Sequence, residues 1–337
     1  MTTGATLVLT RRDVRHFVNL NDCIEAVEHA FRLHGEGKTQ APAMIGIHSS
    51  DGGFHIKAGI LPLAHNYFVA KVNANFPNNP KRFTLPTIQG VIVLCDAQNG
   101  RPLAVLDSME ITALRTAAAT AVAAKHLARK DSKVVTICGC GVQGQVQLQA
   151  LAQILKLQRA FAYDIEEGRA SEFAREWSAK LGITVEPAKD LSHATRQSDV
   201  CVTCTSSLQP FLKREHIKPG TFIAAVGADN PEKQELEAEL MAGSKVVVDV
   251  LDQCAESGDL HHALRAGVVL KSDIHAELGE VVAGNKPGRT SKDETIIFDS
   301  TGMALQDVAV TALVYEKASQ AGFERTVEFA AQGDGKC

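Results

Sequence analysis

The sequence predicts a two-domain α/β protein: a doubly wound parallel sheet in the second half, and a mixed α+β domain built from the beginning and end of the chain. Three observations carry this. A length of 337 residues exceeds what one hydrophobic core usually organises. Beyond Ser132, short apolar β runs alternate with helical intervals. The first of those runs leads directly into Gly139-Cys140-Gly141-Val142-Gln143-Gly144, a glycine-rich turn that opens a helix. Composition agrees with a globular chain, since 45% apolar and 22% charged residues exclude wholesale disorder. A net charge of −4 without a basic, aromatic-interleaved stripe argues against nucleic acid and for small-molecule partners. The N-terminus lacks a basic leader followed by an apolar run, and no stretch qualifies as a membrane span. Eight scattered cysteines then point to reduced thiols and a cytoplasmic setting.

Along the chain, Thr10-Arg-Arg-Asp13 has the form of a helix N-cap, and Asp22 opens a second helix with Ile24, Val27, Ala30 and Phe31 on one face, stopped by Gly35 and Gly37. From Pro42 to Val105, runs such as Phe68 to Val72 and Val91 to Leu94 separated by Gly, Pro and Asn clusters predict a sheet. Ile111 to Ala128 is Ala-rich, a strong helix former with small side chains suited to close packing between layers, and the domain junction is placed there. Strands are expected at Val134–Cys138, Ala160–Tyr163, Val200–Thr203, Thr221–Val226, Lys245–Val250 and Thr295–Phe298, with helices at Val142–Leu155 and Glu167–Leu181. A final helix, Met303 to Ala321, returns to the first domain, and the tail after Phe329 is read as mobile. The boundaries are therefore 1–118 with 312–337, and 119–311.

The glycine run has the features of a Rossmann dinucleotide turn. Gly139 permits the tight turn, Gly141 lets backbone approach a pyrophosphate, and Gly144 lets helix and strand pack closely. Asp164 ends the next strand, where its carboxylate can accept hydrogen bonds from ribose hydroxyls and would repel a 2′-phosphate, which favours NAD over NADP. Cys138-x-Cys140 and Cys201-x-x-Cys204 fall on neighbouring strands, but residues three apart on a strand face opposite sides, so these read as buried thiols and no metal is predicted. In the first domain, Lys71 lies within an apolar β run, where it either faces a polar cavity or reaches solvent at a strand edge. Arg115 interrupts the Ala-rich helix and can either grip a carboxylate bidentately or make a surface ion pair.

Lys71-Val-Asn-Ala-Asn-Phe-Pro, Leu85-Pro-Thr-Ile-Gln-Gly, Arg115-Thr-Ala-Ala, Gly139-Cys-Gly-Val-Gln, Val226-Gly-Ala-Asp-Asn-Pro-Glu-Lys-Gln-Glu-Leu and Ile274-His-Ala-Glu-Leu-Gly-Glu-Val together resemble the ornithine cyclodeaminase and mu-crystallin family over nearly the whole chain. The resemblance implies that the first domain binds substrate and forms a homodimer, that the second binds NAD or NADP, and that substrate lies in the cleft between them. It also implies roles: Lys71 near the substrate carboxylate and assisting proton transfer, Arg115 binding that carboxylate, and Asp229 as acid or base. Thr87, Thr116, Gly139, Gly141, Val142, Gln143, Gly144, Asp164, Thr205 and Asp229 are the implied cofactor contacts. Asp229 also makes sense independently, because it follows the Thr221–Val226 strand at its carboxyl end. The alternative there is a helix N-cap ahead of Pro231.

One departure stands out. Family members often carry an Arg shortly after the Pro equivalent to Pro42, whereas this chain reads Pro42-Ala43-Met44 and has no Arg until Arg82. Lys57, on the next β run where the family often has Met, is the candidate replacement. The expected activity is hydride transfer between NAD(H) and the α-carbon of a small amino or cyclic imino acid, as dehydrogenase or imine reductase. The alternatives are an ornithine or lysine cyclodeaminase and a non-enzymatic, crystallin-like binding protein. A cationic Lys57 weighs against a diamino substrate, because it would repel the second ammonium.

Overall fold

The computed structural model describes residues 5–329, so the tail beyond Phe329 lies outside the described residues. The chain forms two compact units. The first comprises residues up to Ala30, Gly37–Arg115 and the chain from Met303 on; the second comprises Phe31–Glu36 and Thr116–Gly302. The return to the first unit thus falls at Met303, nine residues before the expected 312, since the final helix belongs to that unit along its whole length.

The strands in chain order are β1 (Ala5–Leu9), β2 (Ala43–Ser49), β3 (Gly52–Pro62), β4 (Asn66–Asn75), β5 (Ile88–Asp96), β6 (Pro102–Asp107), β7 (Val134–Cys138), β8 (Arg159–Tyr163), β9 (Thr184–Pro187), β10 (Val200–Thr203), β11 (Phe222–Ala225), β12 (Lys245–Val248), β13 (Ala276–Glu277), β14 (Ile296–Asp299) and β15 (Thr326–Glu328).

The first unit is a seven-stranded mixed sheet in the order β15-β1-β6-β5-β4-β3-β2, antiparallel except where β1 runs parallel to β6. The described residues at the start, expected to be helical, open with strand β1, whose partners β6 and β15 are remote in sequence. Helix Arg11–Phe17 follows, closed by the expected capping box between Thr10 and Asp13. The second helix runs Leu20–Gly35 and starts ahead of Asp22, because the Asn19 side chain already accepts from the Asp22 N–H at 3.0 Å. Helix Ala304–Gln320 lies across β3, β4 and β5. Gly59 on β3 permits that approach: a Cβ there would stand 3.1 Å from Leu305.

Cross-strand register sorts the side chains of this sheet into two faces. Met44, Lys57, Lys71, Ile92 and Leu106 form one row across β2 to β6. Ile45, Ile56, Val72 and Val91 form the adjacent row, which points to the opposite face.

The second unit is an eight-stranded, all-parallel sheet in the order β13-β12-β14-β11-β10-β7-β8-β9, two strands larger than the expected minimum. The added strands, β9 and β13, are short and sit at its edges. From β7 the chain moves outward to β8 and β9, then returns to lay β10 on the other side of β7. The carboxyl ends of β7 and β10 therefore flank the switch point where open α/β sheets bind ligands. The junction between the units falls in helix Ser108–Leu127, between Arg115 and Thr116, and Ala117 to Ala124 are buried without a polar stripe. Among the described residues no helix is long and apolar enough to cross a membrane.

Candidate functional site

The second unit builds a cradle at the end of β7. Gly139 has φ +102°, and a Cβ on it would stand 2.9 Å from the Cys204 carbonyl oxygen, so only glycine fits. Gly144 lies in the first turn of helix Val142–Ile154, where a Cβ would be 2.0 Å from the Gly139 carbonyl. Gly141 differs from both: it caps the helix with extended backbone and no side-chain cap, and an added Cβ would meet nothing within 4 Å. The helix's unpaired N–H groups are therefore open to solvent at Gly141, where an anion can approach the backbone.

The rim carries polar and apolar groups around this opening. Asp164 accepts from the Cys140 N–H at 2.9 Å and the Glu166 N–H at 3.0 Å, which aligns the carboxylate with the loop while leaving lone pairs for hydroxyl donors. Ile165, beside it, is 94% exposed, and Val142 is also held out in solvent. These large apolar side chains suit a flat heterocycle. Arg169 pairs with Glu166 at 3.0 Å on the surface beside this rim. Thr205, just beyond the end of β10, comes beside Gly139, with Cγ2 3.1 Å from where a Gly139 Cβ would stand. Gln143 Oε1 accepts from Gln147 Nε2 at 3.5 Å, one turn along the helix.

The thiols behave as buried groups. β10 ends at Thr203, so Cys204 turns back and donates to the carbonyls of Cys138 and Gly139, both at 3.3 Å. Cys138 and Cys201 sulfurs lie 4.0 Å apart. The Cys201 thiol and burial hold Cys138 protonated, and burial does the same for Cys204. Among the described residues no group of three His, Cys, Asp or Glu is arranged for a metal ion.

The first unit holds a second polar cluster, and it is internal. Lys71 is 2% exposed in a central strand, which excludes a strand-edge lysine reaching solvent. Its Nζ donates to Asp307 Oδ1 at 2.8 Å, and the same oxygen accepts from Arg115 Nε at 3.1 Å. Arg115 also donates to Gln306 Oε1 at 3.0 Å, so its guanidinium is buried among side chains and makes no surface ion pair. Lys57 is buried opposite Lys71, and Met44 is opposite Lys57. Burial pushes the Lys71 ammonium down to about 7: Asp307 opposes the fall, while Arg115 and Lys57 deepen it. For Asp307 burial alone would raise the carboxyl, but Lys71 and Arg115 outweigh it and hold it below its usual range.

Lys57, Lys71 and Arg115 thus converge on Asp307 in the first unit, and Thr87 lies at the head of β5 in that unit. Thr116, the glycine loop, Asp164, Thr205 and Asp229 belong to the second. Asp229 follows β11 and pairs with Lys233 at 2.7 Å; the Asn230 side chain accepts from the Glu232 and Lys233 N–H groups in a turn, and the next helix begins only at Ala238, so there is no helix here for Asp229 to cap.

Of the buried carboxylates that the reading of the sequence did not single out, Asp307 and Glu235 bear directly on these residues. Asp307 was signalled only by Gln306-Asp307 interrupting an otherwise apolar helical run. Glu235, which binds Thr205 and Gly227, was inside a quoted motif without a role. A cavity of about 380 Å³ lined by Arg214, Lys245 and Thr295 lies at the amino ends of β12 and β14, the opposite end of the sheet from the glycine loop, and takes no part in this site.

The ornithine cyclodeaminase/mu-crystallin family model matches residues 5–322. This chain belongs to that family. Among its family relatives, alanine dehydrogenase of Archaeoglobus fulgidus is 39% identical over 325 residues, covering 96% of this chain and 98% of that one. A solved archaeal alanine dehydrogenase dimer with bound NAD superposes with a TM-score of 0.92 at 39% identity, covering 96% of this chain and 99% of that one. Δ(1)-pyrroline-2-carboxylate reductase of Thermococcus litoralis, solved with NADH and L-proline, gives 0.90 at 35% identity, with the same coverage.

Proposed function

We propose that this family member is an NAD-dependent oxidoreductase acting at the α-carbon of a small amino or cyclic imino acid. The observation that carries the reading is the buried cluster in which Lys71 and Arg115 share one oxygen of Asp307, with Lys57 facing Lys71. Two cationic groups on a single carboxylate oxygen concentrate positive charge inside the first unit, a costly arrangement unless an anion is to be bound there. A substrate carboxylate supplies it. Arg115, fixed by Asp307 and Gln306, presents a planar donor group to that carboxylate. Met44 and Lys57 occupy one cross-strand row, so a cation missing from β2 is restored on β3 without leaving the row; the point charge of Lys57 replaces the fork of an arginine.

Bound NAD(H) supplies or accepts the hydride. The glycine loop holds its diphosphate, Asp164 its ribose hydroxyls, and Thr87, Thr116, Gln143 and Thr205 complete the contacts; the open space at Gly141 and the exposed Ile165 support this assignment. Lys71, with its proton affinity near neutrality, moves a proton at the substrate nitrogen or its carboxylate side, and Asp229 serves as the partner acid or base.

A homodimer through the first unit is part of the reading. Ile45, Ile47, Phe54, Val72 and Val91, between 36% and 56% exposed, line the face of the sheet opposite Lys71, an apolar surface of the kind that marks association. Seven free thiols among the described residues suit a reducing, cytoplasmic compartment.

A panel of amino acids with NAD⁺, and of cyclic imines with NADH, followed at the nicotinamide absorbance with ammonia assayed in parallel, tests the proposal. Net NADH formation or consumption supports it. Ammonia released from ornithine or lysine without net redox identifies a cyclodeaminase, and no turnover with tight ligand binding identifies a binding protein.

A further inference from the structure

Four carboxylates of the second unit, Glu235, Asp249, Asp259 and Asp299, are buried, Asp299 as the last residue of β14 and Asp249 just after β12, and the reaction as proposed uses none of them. Three of these form a series in which each captures the backbone of the next segment. Asp299 accepts from the Leu260 N–H at 2.9 Å, Asp259 accepts from the N–H groups of Glu235 and Leu236 at 2.8 and 2.9 Å, and Glu235 reaches two loops at once. Its Oε1 accepts from the N–H and hydroxyl of Thr205 at 2.6 and 2.7 Å; its Oε2 accepts from the Gly227 N–H at 3.0 Å. Burial raises the Glu235 carboxyl while these bonds oppose the rise, so a group that is expensive to bury is retained at the junction of two loops. Gly227 is shaped to it: a Cβ there would stand 2.5 Å from the carboxylate.

We infer that Glu235 is a positioning residue that locks the loop after β10, carrying Thr205, to the loop after β11, carrying Asp229, so that the dinucleotide contact and the acid–base group are set by one carboxylate. This rests on the reading above in giving Thr205 to the cofactor and Asp229 to proton transfer. The geometry requires the coupling independently of either role, because the two oxygens of one rigid group each hold a different loop.

The test is hydrogen exchange by mass spectrometry on the full chain without added nucleotide, together with NADH titration. Gly227→Ala drives a methyl into the Glu235 carboxylate, the group its Cβ would meet first, so exchange should rise about tenfold or more at residues 204–207 as well as at 226–229. Glu235→Gln should open both segments together, leave 139–144 unchanged, and weaken NADH about tenfold, with Glu235→Asp recovering part of that loss. A rise confined to 226–229 in Gly227→Ala overturns the inference. So does a Glu235→Gln protein that merely melts earlier with both segments as protected as before. If Glu235→Gln fails to fold, Gly227→Ala alone decides the matter, by whether 204–207 and 226–229 open together. Coupled exchange in a chain that binds no NADH supports the lock and overturns the cofactor reading instead.

Discussion

Asp307→Asn removes the carboxylate at the centre of the cationic cluster with little change of shape. Its Oδ1 lies 2.8 Å from Lys71 Nζ, and removing one partner of a buried pair forfeits about 3–5 kcal/mol. With a tenfold change in proton affinity worth about 1.4 kcal/mol, the lower bound moves the Lys71 titration acid-ward by about two pH units. In the wild type Lys71 loses its proton at about 7, so roughly half the molecules are protonated at that pH; in the variant only about 1% would be. Reduction of a cyclic imine consumes a proton and needs the ammonium form, so kcat/KM should fall on the alkaline side of this limb. The variant should then lose about 50-fold at pH 7 and recover most of it near pH 5. Amino acid oxidation needs the neutral amine, so its rising limb should shift acid-ward in parallel. The assay is kcat/KM against pH in both directions, which reports the free enzyme. A uniform drop with the limb still near pH 7 would refute the assignment of Lys71 as the titrating group.

Three further outcomes are expected. Gly141→Ala, whose backbone suits alanine and whose added Cβ meets nothing within 4 Å, should leave the melting temperature unchanged while weakening NADH about 100-fold in a fluorescence titration, since the methyl enters the space read as the pyrophosphate site. Lys57→Ala should raise substrate KM about tenfold and move the Lys71 limb to higher pH, the opposite sense to Asp307→Asn, because a repelling cation has gone; unchanged kinetics would end its role as the replacement anchor. Glu294, held at about 2 by Lys245 and Thr290 despite partial burial, contributes stability that is fully present above about pH 4.5 and fades as pH falls toward about 2. With its side chain 21% exposed, Glu294→Gln should cost about 2 kcal/mol in denaturant unfolding at pH 7 and nothing at the acid end.

The parallel sheet and its glycine turn were readable because their signals are local: β7, the Gly139–Gly144 turn and Asp164 follow one another within a single βαβ unit. Strands β1 and β15 were not, since their pairing depends on partners about a hundred or more residues away and neither run is long enough to declare itself. Lys71 and Arg115 were identifiable as charges in apolar runs, yet the group that makes them a site, Asp307, lies in the last helix, and nothing in a sequence shows that residues 71, 115 and 307 share one oxygen. Glu235 is harder still. Its importance lies in which backbone N–H groups it accepts from, and a glutamate within a polar stretch has no local mark of being buried.

The register of the first sheet explains how one short domain can hold both a charged site and an apolar face. A strand places successive residues on opposite sides, so Lys71 and Val72 are neighbours in sequence yet serve different surfaces. The Lys57–Lys71 row is sealed beneath helix Ala304–Gln320, which brings Asp307 and Gln306 down onto it; the Ile45–Val91 row is left uncovered by that helix. A one-residue slip of β3 against β4 would exchange the two, burying Ile56 where Lys57 stands and putting lysine on the apolar face. Gly59 guards against this, because it is a point at which the helix closes on β3, and a slipped register would set a side chain beneath Leu305 in its place. Charge cluster and apolar face are therefore consequences of a single alignment, and under the proposed reading a substitution that disturbs Gly59 should lower turnover and change the mass in solution together, as steady-state kinetics and sedimentation would read.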